Sequence, residues 1–230
     1  MNRPQTILFD VDGTLITSGG AGGKSWRWAF NELYGIPADI GQFSDAGMTD
    51  PVVGGLTFKS VIGHEPSRDE LAKVMEQYIV RLPTEIAESP GYQVLDGVHE
   101  LLETLTQNGI LLGIVSGAVE KAAQIKLSRG DLNKYFTFGG YGSDSADRAE
   151  LTRMAIQRAG QALGNALDPK TVQVVGDTPL DVKAAHDTGA VGVAVATGHF
   201  TVAQLKDTGA EHVLSSLDAK EALPVMCPPK

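Results

Sequence analysis

Two acidic residues near the start of the chain have the type and spacing that nucleophilic and acid-base chemistry requires. Asp10 and Asp12 follow the apolar run of residues 7–9, which predicts a buried strand. Gly13 then predicts a sharp turn, so both carboxylates would face one crevice beyond the carboxyl end of the strand, where open parallel sheets bind ligands. An ordinary turn, in which Asp is common, is the alternative explanation.

A second acidic position follows a β-branched run. Residues 172–175 predict a strand that ends at Gly176 and Asp177. If the carboxylates of Asp177 and Asp10 lie within ~4 Å of each other, they repel by about 4 kcal/mol at an effective dielectric near 20, so the pair requires a cation. Ligation by oxygen alone favours Mg²⁺.

A third apolar run, residues 110–115, ends in Ser116 and Gly117 and is followed by a predicted helix over residues 119–127. Backbone N–H groups at a helix start can bind an anion. A hydroxyl residue after a strand is also a common N-cap, and both interpretations fit the spacing.

These motifs together resemble the haloacid dehalogenase superfamily. Residues 9–15 read FDVDGTL, which is similar to the DxDGTL motif of its aspartate-nucleophile phosphatases, and residues 176–181 match GDxxxD. The resemblance implies that Asp10 attacks phosphorus and that Asp12 is the general acid and base.

The same resemblance assigns the remaining groups of the site. Mg²⁺ would be held by the carboxylates of Asp10 and Asp177 and by the backbone carbonyl of Asp12. Ser116 and the Gly117 amide would bind phosphoryl oxygens.

The family's third motif supplies a Lys at a helix start, and this chain departs from it because no KP dipeptide stands between the second and fourth motifs. Arg148 is the candidate replacement, since it keeps the charge and adds bidentate geometry. A surface Arg paired with a nearby acid is the alternative. Asp181 falls near a helix start; it could interact with the helix dipole, and we expect it to support the metal ligands rather than bind the metal.

Strands and helices alternate in most of the chain. Strands are predicted near residues 5–10, 110–115, 135–139, 172–176 and 191–195, which indicates an α/β fold with a doubly wound, parallel core. We expect residues 1–16 and 94–230 to form this core and residues 17–93 to be an inserted helical cap.

Two further expectations concern residues of the cap. By the family resemblance, Thr49 and Asp50 could contact substrate, although a helix N-cap is the favoured explanation. The stretch from Ser18 to Ser25, with Lys24, nearly matches a nucleotide-binding P-loop; without a preceding buried strand, a flexible hinge is the favoured interpretation.

Composition restricts the partners. The 230 residues carry a net charge of −9, which argues against nucleic acid or an anionic membrane surface as the main partner. Cys227 is the only cysteine, so no intrachain disulfide forms. With no signal-type segment and no long apolar run, we expect a cytoplasmic protein. The oligomeric state stays open.

The resemblance thus implies a Mg²⁺-dependent phosphatase that acts on small phosphate monoesters. A phosphomutase on the same core and a non-catalytic binding protein of the same fold are the alternatives. A dehalogenase is disfavoured, because Asp12 and Asp177 would have no evident purpose in displacing halide.

Overall fold

A six-stranded, wholly parallel sheet forms the centre of the protein in a computed structural model that describes residues 3–43 and 45–229. The strands of the protein are β1 Thr6–Phe9, β2 Ile16–Ser18, β3 Tyr92–Val94, β4 Leu111–Ser116, β5 Gly139–Tyr141, β6 Val172–Gly176, β7 Val191–Val195 and β8 His212–Leu214. The strand order in the sheet is β5-β4-β1-β6-β7-β8, and a separate antiparallel pair is formed by β2 and β3.

Helices cover both faces of this sheet, as the predicted doubly wound fold requires. The α-helices among the described residues are α1 Ala21–Tyr34, α2 Asp50–Ile62, α3 Arg68–Glu88, α4 Val98–Gln107, α5 Glu120–Ser128, α6 Arg148–Leu163, α7 Pro179–Thr188, α8 Val202–Lys206 and α9 Ala219–Met226. Alternate residues of β1 bury opposite faces: Leu8 belongs to the apolar cluster with α6 and α7, and Ile7 and Phe9 to the cluster with α4 and α5. Strand β1 is therefore buried on both sides, which explains its continuous apolar run.

The chain leaves the sheet after β1 to form a helical insertion made of α1, α2 and α3, which returns through β3. Helix α3 begins with the capping box of Ser67 and Glu70 that its sequence pattern indicates. Trp26 of α1 stacks on Tyr78 of α3 with ring centroids 4.5 Å apart, and both side chains are buried. Trp26 therefore packs the interior of the insertion and is not available to stack on a substrate ring.

One predicted strand lies in the wrong place. Instead of residues 135–139, strand β5 is formed by Gly139–Tyr141, and Asn133–Tyr135 forms a 3₁₀ turn. A Cβ on Gly140 would lie 1.9 Å from the carbonyl oxygen of Leu151 in α6. The strand therefore forms where glycine lets the backbone of α6 approach closely, although the aromatic residues before Gly139 have the higher β-propensity.

Three shorter strands were not predicted, namely β8 and the pair β2 and β3. The glycine-rich segment also differs from the expected flexible hinge, because Gly22 and Gly23 lie in the first turn of α1. Lys24 is exposed on that helix, and the Ser25 hydroxyl donates to the Ala21 carbonyl oxygen at 2.8 Å. A P-loop conformation is therefore absent from this segment.

No helix in the described part of the chain combines the length and the apolar character needed to cross a bilayer.

Candidate active site

Three strands of the sheet end side by side at the candidate site. Strand β1 pairs with β4 and β6, with Phe9 in register with Ile114 and Val175. The residues that follow these strands therefore emerge at one edge, which is where ligands bind in sheets of this kind. A cavity of about 590 Å³ opens there; its lining includes Asp10, Asp12, Ser116, Gly117, Lys126, Arg148 and Asp177 from the core and residues 46–48 and Asp50 from the insertion.

Asp10 and Asp177 lie together at this edge, as the strand pattern led us to expect. Carboxylate oxygens of Asp10, Asp177 and Asp181 all lie within 4.8 Å of one another, and the three residues are buried. Burial raises the pKa of Asp10 and of Asp177 above the usual range, and the neighbouring carboxylates raise both further. The site thus concentrates negative charge that its burial disfavours.

Glycine makes this concentration possible. Gly13 has φ +84°, and a Cβ there would lie 2.4 Å from Oδ2 of Asp177. The turn after β1 thus needs glycine for its conformation and for the space that the Asp177 carboxylate occupies. The Thr14 hydroxyl donates to Oδ1 of the same carboxylate at 3.3 Å.

Arg148 lies inside the site, not on the surface. It is the first residue of α6, whose N-cap is Asp147. Its Nη2 donates to Oδ1 of Asp10 at 2.9 Å and to Oδ1 of Asp181 at 2.5 Å, and its Nη1 donates to the Gly47 carbonyl oxygen at 3.0 Å. Burial alone would lower the pKa of Arg148, but Asp181 and Asp10 outweigh it and hold the pKa above the usual range. The guanidinium is a fixed cation beside the Asp10 carboxylate.

The donor set fits Mg²⁺. Asp181 uses Oδ1 to accept from Arg148 and Oδ2 to accept from the Thr178 amide and hydroxyl at 3.0 and 2.7 Å. Asp10 and Asp177 are then the carboxylates best placed to ligate a cation, with oxygen donors only. A divalent ion between them would favour their ionised forms, against the effect of burial.

Ser116 and Gly117 border the same cavity at the end of β4. The Ser116 hydroxyl accepts from the Ala118 amide at 3.3 Å. A Cβ on Gly117 would lie 2.6 Å from the Met48 carbonyl oxygen, so the insertion rests directly on this loop. Glycine is required here because the two backbones approach closely.

Thr49 and Asp50 differ in their placement. Asp50 lines the cavity, yet its Oδ2 accepts from the Val119 amide at 2.9 Å, and its own amide donates to the Gly117 carbonyl oxygen at 2.8 Å. Thr49 is outside the cavity lining; it occupies the N-cap position of α2 without a side-chain capping bond, and its buried hydroxyl has no partner among the described residues. The Asp50 carboxylate therefore binds the start of α5 rather than capping its own helix.

Comparison with known proteins agrees with these motifs. A family model described as haloacid dehalogenase-like hydrolase matches residues 7–195. The chain belongs to this family. It is a hydrolase whose core is a six-stranded parallel sheet.

Relatives of this hydrolase include named phosphatases. The chain is 28% identical over 203 residues to a validoxylamine A 7′-phosphate phosphatase from Streptomyces hygroscopicus subsp. limoneus, covering 85% of this chain and 87% of the relative. It is 29% identical over 109 residues to a phosphoglycolate phosphatase from Synechococcus elongatus, covering 47% and 49%. The crystal structure of a hydrolase from Pseudomonas syringae superposes with a TM-score of 0.70 at 25% identity, covering 95% and 97%.

One charged residue of the hydrolase's site was not predicted from the sequence. Lys126 of α5 is buried, and its Nζ lies 2.5 Å from Oδ2 of Asp12. The sequence holds a signal for it, because Lys126 follows the spacing of Val119, Ala122 and Ala123 on an apolar helix face. A buried lysine needs an anionic partner, and here that partner is Asp12, an acid of the site.

Proposed function

We propose that this hydrolase is a Mg²⁺-dependent phosphatase that cleaves small phosphate monoesters through an aspartyl-phosphate on Asp10. The observation that supports this most is the surroundings of the Asp10 carboxylate, which has the Arg148 guanidinium at 2.9 Å and the Asp177 carboxylate within 4.8 Å. A nucleophilic carboxylate between a fixed cation and a cation-binding acid suits attack on an anionic phosphoryl group.

In the first step, an Asp10 oxygen would form a bond to phosphorus while the bond to the ester oxygen breaks. Asp12 would give its proton to the departing oxygen, so that an alcohol leaves. In the second step, Asp12 would accept a proton from water as the water oxygen attacks phosphorus and releases phosphate from Asp10. Arg148 would stabilise charge on the phosphoryl oxygens in both steps, together with Ser116 and Gly117.

Asp10, Asp177 and the Asp12 backbone carbonyl would hold the metal, and Asp181 would fix Arg148 and the start of α7 behind them. When bound, Mg²⁺ would neutralise charge on the phosphoryl oxygens and offset repulsion between the carboxylates.

We propose that residues 17–93 act as a cap and that residues 1–16 and 94–230 form the core. Hydrogen bonds already join residues 47–50 of the cap to the core at this site: from Arg148 to Gly47, from Asp50 to Gly117 and from Val119 to Asp50. A closed cap would exclude water from the cavity and admit only small substrates.

The proposed substrate is a small phosphorylated metabolite. The cavity of about 590 Å³ suits such a molecule, and the net charge of −9 disfavours nucleic acid. The relatives named for validoxylamine A 7′-phosphate and phosphoglycolate support this class without fixing one member. A cytoplasmic location stays a prediction from the sequence.

A hydrolysis screen tests the proposal. The protein is incubated with Mg²⁺ and a panel of sugar, cyclitol, glycolate, glycerol and p-nitrophenyl phosphates, and free phosphate is measured. We expect release from several small monoesters, none from a folded phosphoprotein, and loss of release in Asp10→Asn. With glucose 1-phosphate, free glucose identifies a phosphatase and glucose 6-phosphate a mutase. No release from any monoester contradicts the proposal.

A further inference from the structure

Lys126 is the second cation of the cavity, and the proposed chemistry does not yet use it. Its side chain is 8% exposed, whereas that of Asp12, its partner, is 41% exposed and faces the cavity. The pair joins residues 114 positions apart in the sequence. A buried ammonium is unfavourable unless it is paired, so the position of Lys126 depends on Asp12 as much as Asp12 depends on Lys126.

The Asp12 carboxylate has few other constraints. Within residues 3–43 and 45–229, Lys126 is the side chain that hydrogen-bonds it, through Oδ2 at 2.5 Å. By contrast, Asp181 accepts bonds on both oxygens, and Asp177 is held by Thr14. The direction of the Asp12 carboxylate in the cavity therefore rests on one ion pair.

Lys126 is itself fixed by both parts of the protein. Its position on α5 is set in the core, and its carbonyl oxygen accepts from the Tyr92 hydroxyl at 2.8 Å in the returning strand of the insertion. Its ammonium also faces Tyr78 and Asp50, which belong to the insertion. The cation that holds Asp12 therefore lies where the insertion meets the core.

We propose that Lys126 is a positioning residue that aims the Asp12 carboxylate at the leaving oxygen and does so with the cap in place. This inference rests on the proposed function, in which Asp12 gives a proton to that oxygen. Lys126 binds Oδ2 of Asp12, so the proton would be carried and given by Oδ1, the oxygen that Lys126 leaves free. Lys126 would act through Asp12 and not by binding substrate, because its ammonium already pairs with that carboxylate.

The test compares leaving groups. An alkyl oxygen needs a proton to depart in the first step, whereas p-nitrophenolate leaves without one. A fault in Asp12 positioning therefore lowers kcat/KM, which reports that step, selectively for alkyl esters. In Lys126→Met we expect kcat/KM for glycerol 3-phosphate to fall about 100-fold, kcat/KM for p-nitrophenyl phosphate to fall less than about 10-fold, and KM to change less than about threefold. Lys121→Met, an exposed lysine of the same helix, is the matched control and should match the wild type.

A double-mutant cycle separates positioning from other roles. In the Asp12→Asn background, Lys126→Met should lower kcat/KM for p-nitrophenyl phosphate by less than about twofold, because no acid is left to aim. Equal losses on both substrates, a rise in KM at constant kcat, or a further large loss in the Asp12→Asn background would each overturn the inference.

The same variants distinguish a folding defect from a functional one. Circular dichroism and thermal unfolding report whether Lys126→Met folds. If it does not, Asp12→Asn is compared with Asp12→Asn/Lys126→Met, because the double variant has neither the carboxylate nor the ammonium of the pair and leaves no buried charge unpaired. A wild-type protein inactive on every monoester defeats the proposed function. An active wild type with an unaffected Lys126→Met variant defeats only this inference.

Discussion

The edge of the sheet and residues 47–50 of the insertion line the same cavity but use their polar groups differently. At the edge, charged side chains bind one another: Arg148 donates to both Asp10 and Asp181. In residues 47–50, backbone groups and one carboxylate bind the core, through the Gly47 carbonyl, the Asp50 amide and Oδ2 of Asp50. The edge concentrates charge, and the insertion segment makes docking contacts.

This difference separates two kinds of effect. Substitutions at the edge should change the chemical step, because they remove groups that would face the phosphoryl centre. Substitutions at Asp50 should change stability and closure, because its partners are the Val119 amide and the Gly117 carbonyl, which are backbone groups of the core. A variant that breaks this division would show that one of the two regions has been assigned the wrong role.

The largest expected effect is at Asp10. Asp10→Asn should lower kcat at least 100-fold, or about 2.8 kcal/mol in the activation barrier, because an amide is a poor nucleophile. The fold should persist, since asparagine keeps an oxygen that can accept from Arg148. Steady-state kinetics and circular dichroism measure the two outcomes. A variant that retains more than about a hundredth of wild-type kcat would show that Asp10 is not the nucleophile.

The second prediction concerns the metal. EDTA should abolish hydrolysis and Mg²⁺ restore it, whereas Ca²⁺, with looser coordination, should bind without supporting the reaction. Binding has its own readout: at 100 times its dissociation constant, Mg²⁺ should raise the free energy of unfolding by about 2.7 kcal/mol. Asp177→Asn should lose most of this gain, and Asp187→Asn, an exposed acid on α7, should keep it. Full activity without metal would contradict the proposed donor set.

Arg148 should give a smaller but still strong effect. Its guanidinium is buried and bonds Asp10, Asp181 and Gly47, so Arg148→Met leaves two acids without their cation. We expect a loss of about 3–5 kcal/mol in the free energy of unfolding and a marked fall in kcat/KM, with partial recovery in Arg148→Lys. Urea unfolding and kinetics measure both.

Arg153 provides the control for this experiment. It lies on the same helix and pairs with Glu150, with both side chains half exposed. Arg153→Met should change stability by less than about 1 kcal/mol and leave kcat/KM unchanged. If Arg148→Met were equally mild, the cation at the phosphoryl centre would have to be another residue.

The sequence predicts the edge better than it predicts the insertion contacts. Asp10 follows an apolar run and Asp177 a β-branched one, and parallel strands must end at one edge, so the proximity of the two residues follows from local patterns. The partner of Lys126 could not be predicted in this way, because helix periodicity identifies a buried face without showing which residues pack against it. Strand β5 was misplaced for a similar reason, since the approach of α6 to Gly140 is a tertiary constraint.

The smallest expected effect tests the insertion side of the comparison, at Asp50. Burial raises the pKa of Asp50 to about 6, although Lys126 and the Val119 amide oppose the shift. Because this pKa lies above the unfolded value of 3.8, the folded state binds more protons than the unfolded state between these pH values, and the free energy of unfolding falls as pH rises through that window. The loss approaches about 3 kcal/mol above pH 6, at 1.36 kcal/mol for each pKa unit.

Asp50→Asn keeps an oxygen for the Val119 amide but cannot ionise, so its stability relative to the wild type should rise between pH 4 and pH 7. Urea unfolding in EDTA measures this difference, and Asp69→Asn, an exposed acid of α3, should show none. Parallel pH profiles for the wild type and Asp50→Asn would contradict the raised pKa. A fall in kcat as large as that of Arg148→Met would place Asp50 with the reacting groups of the edge instead.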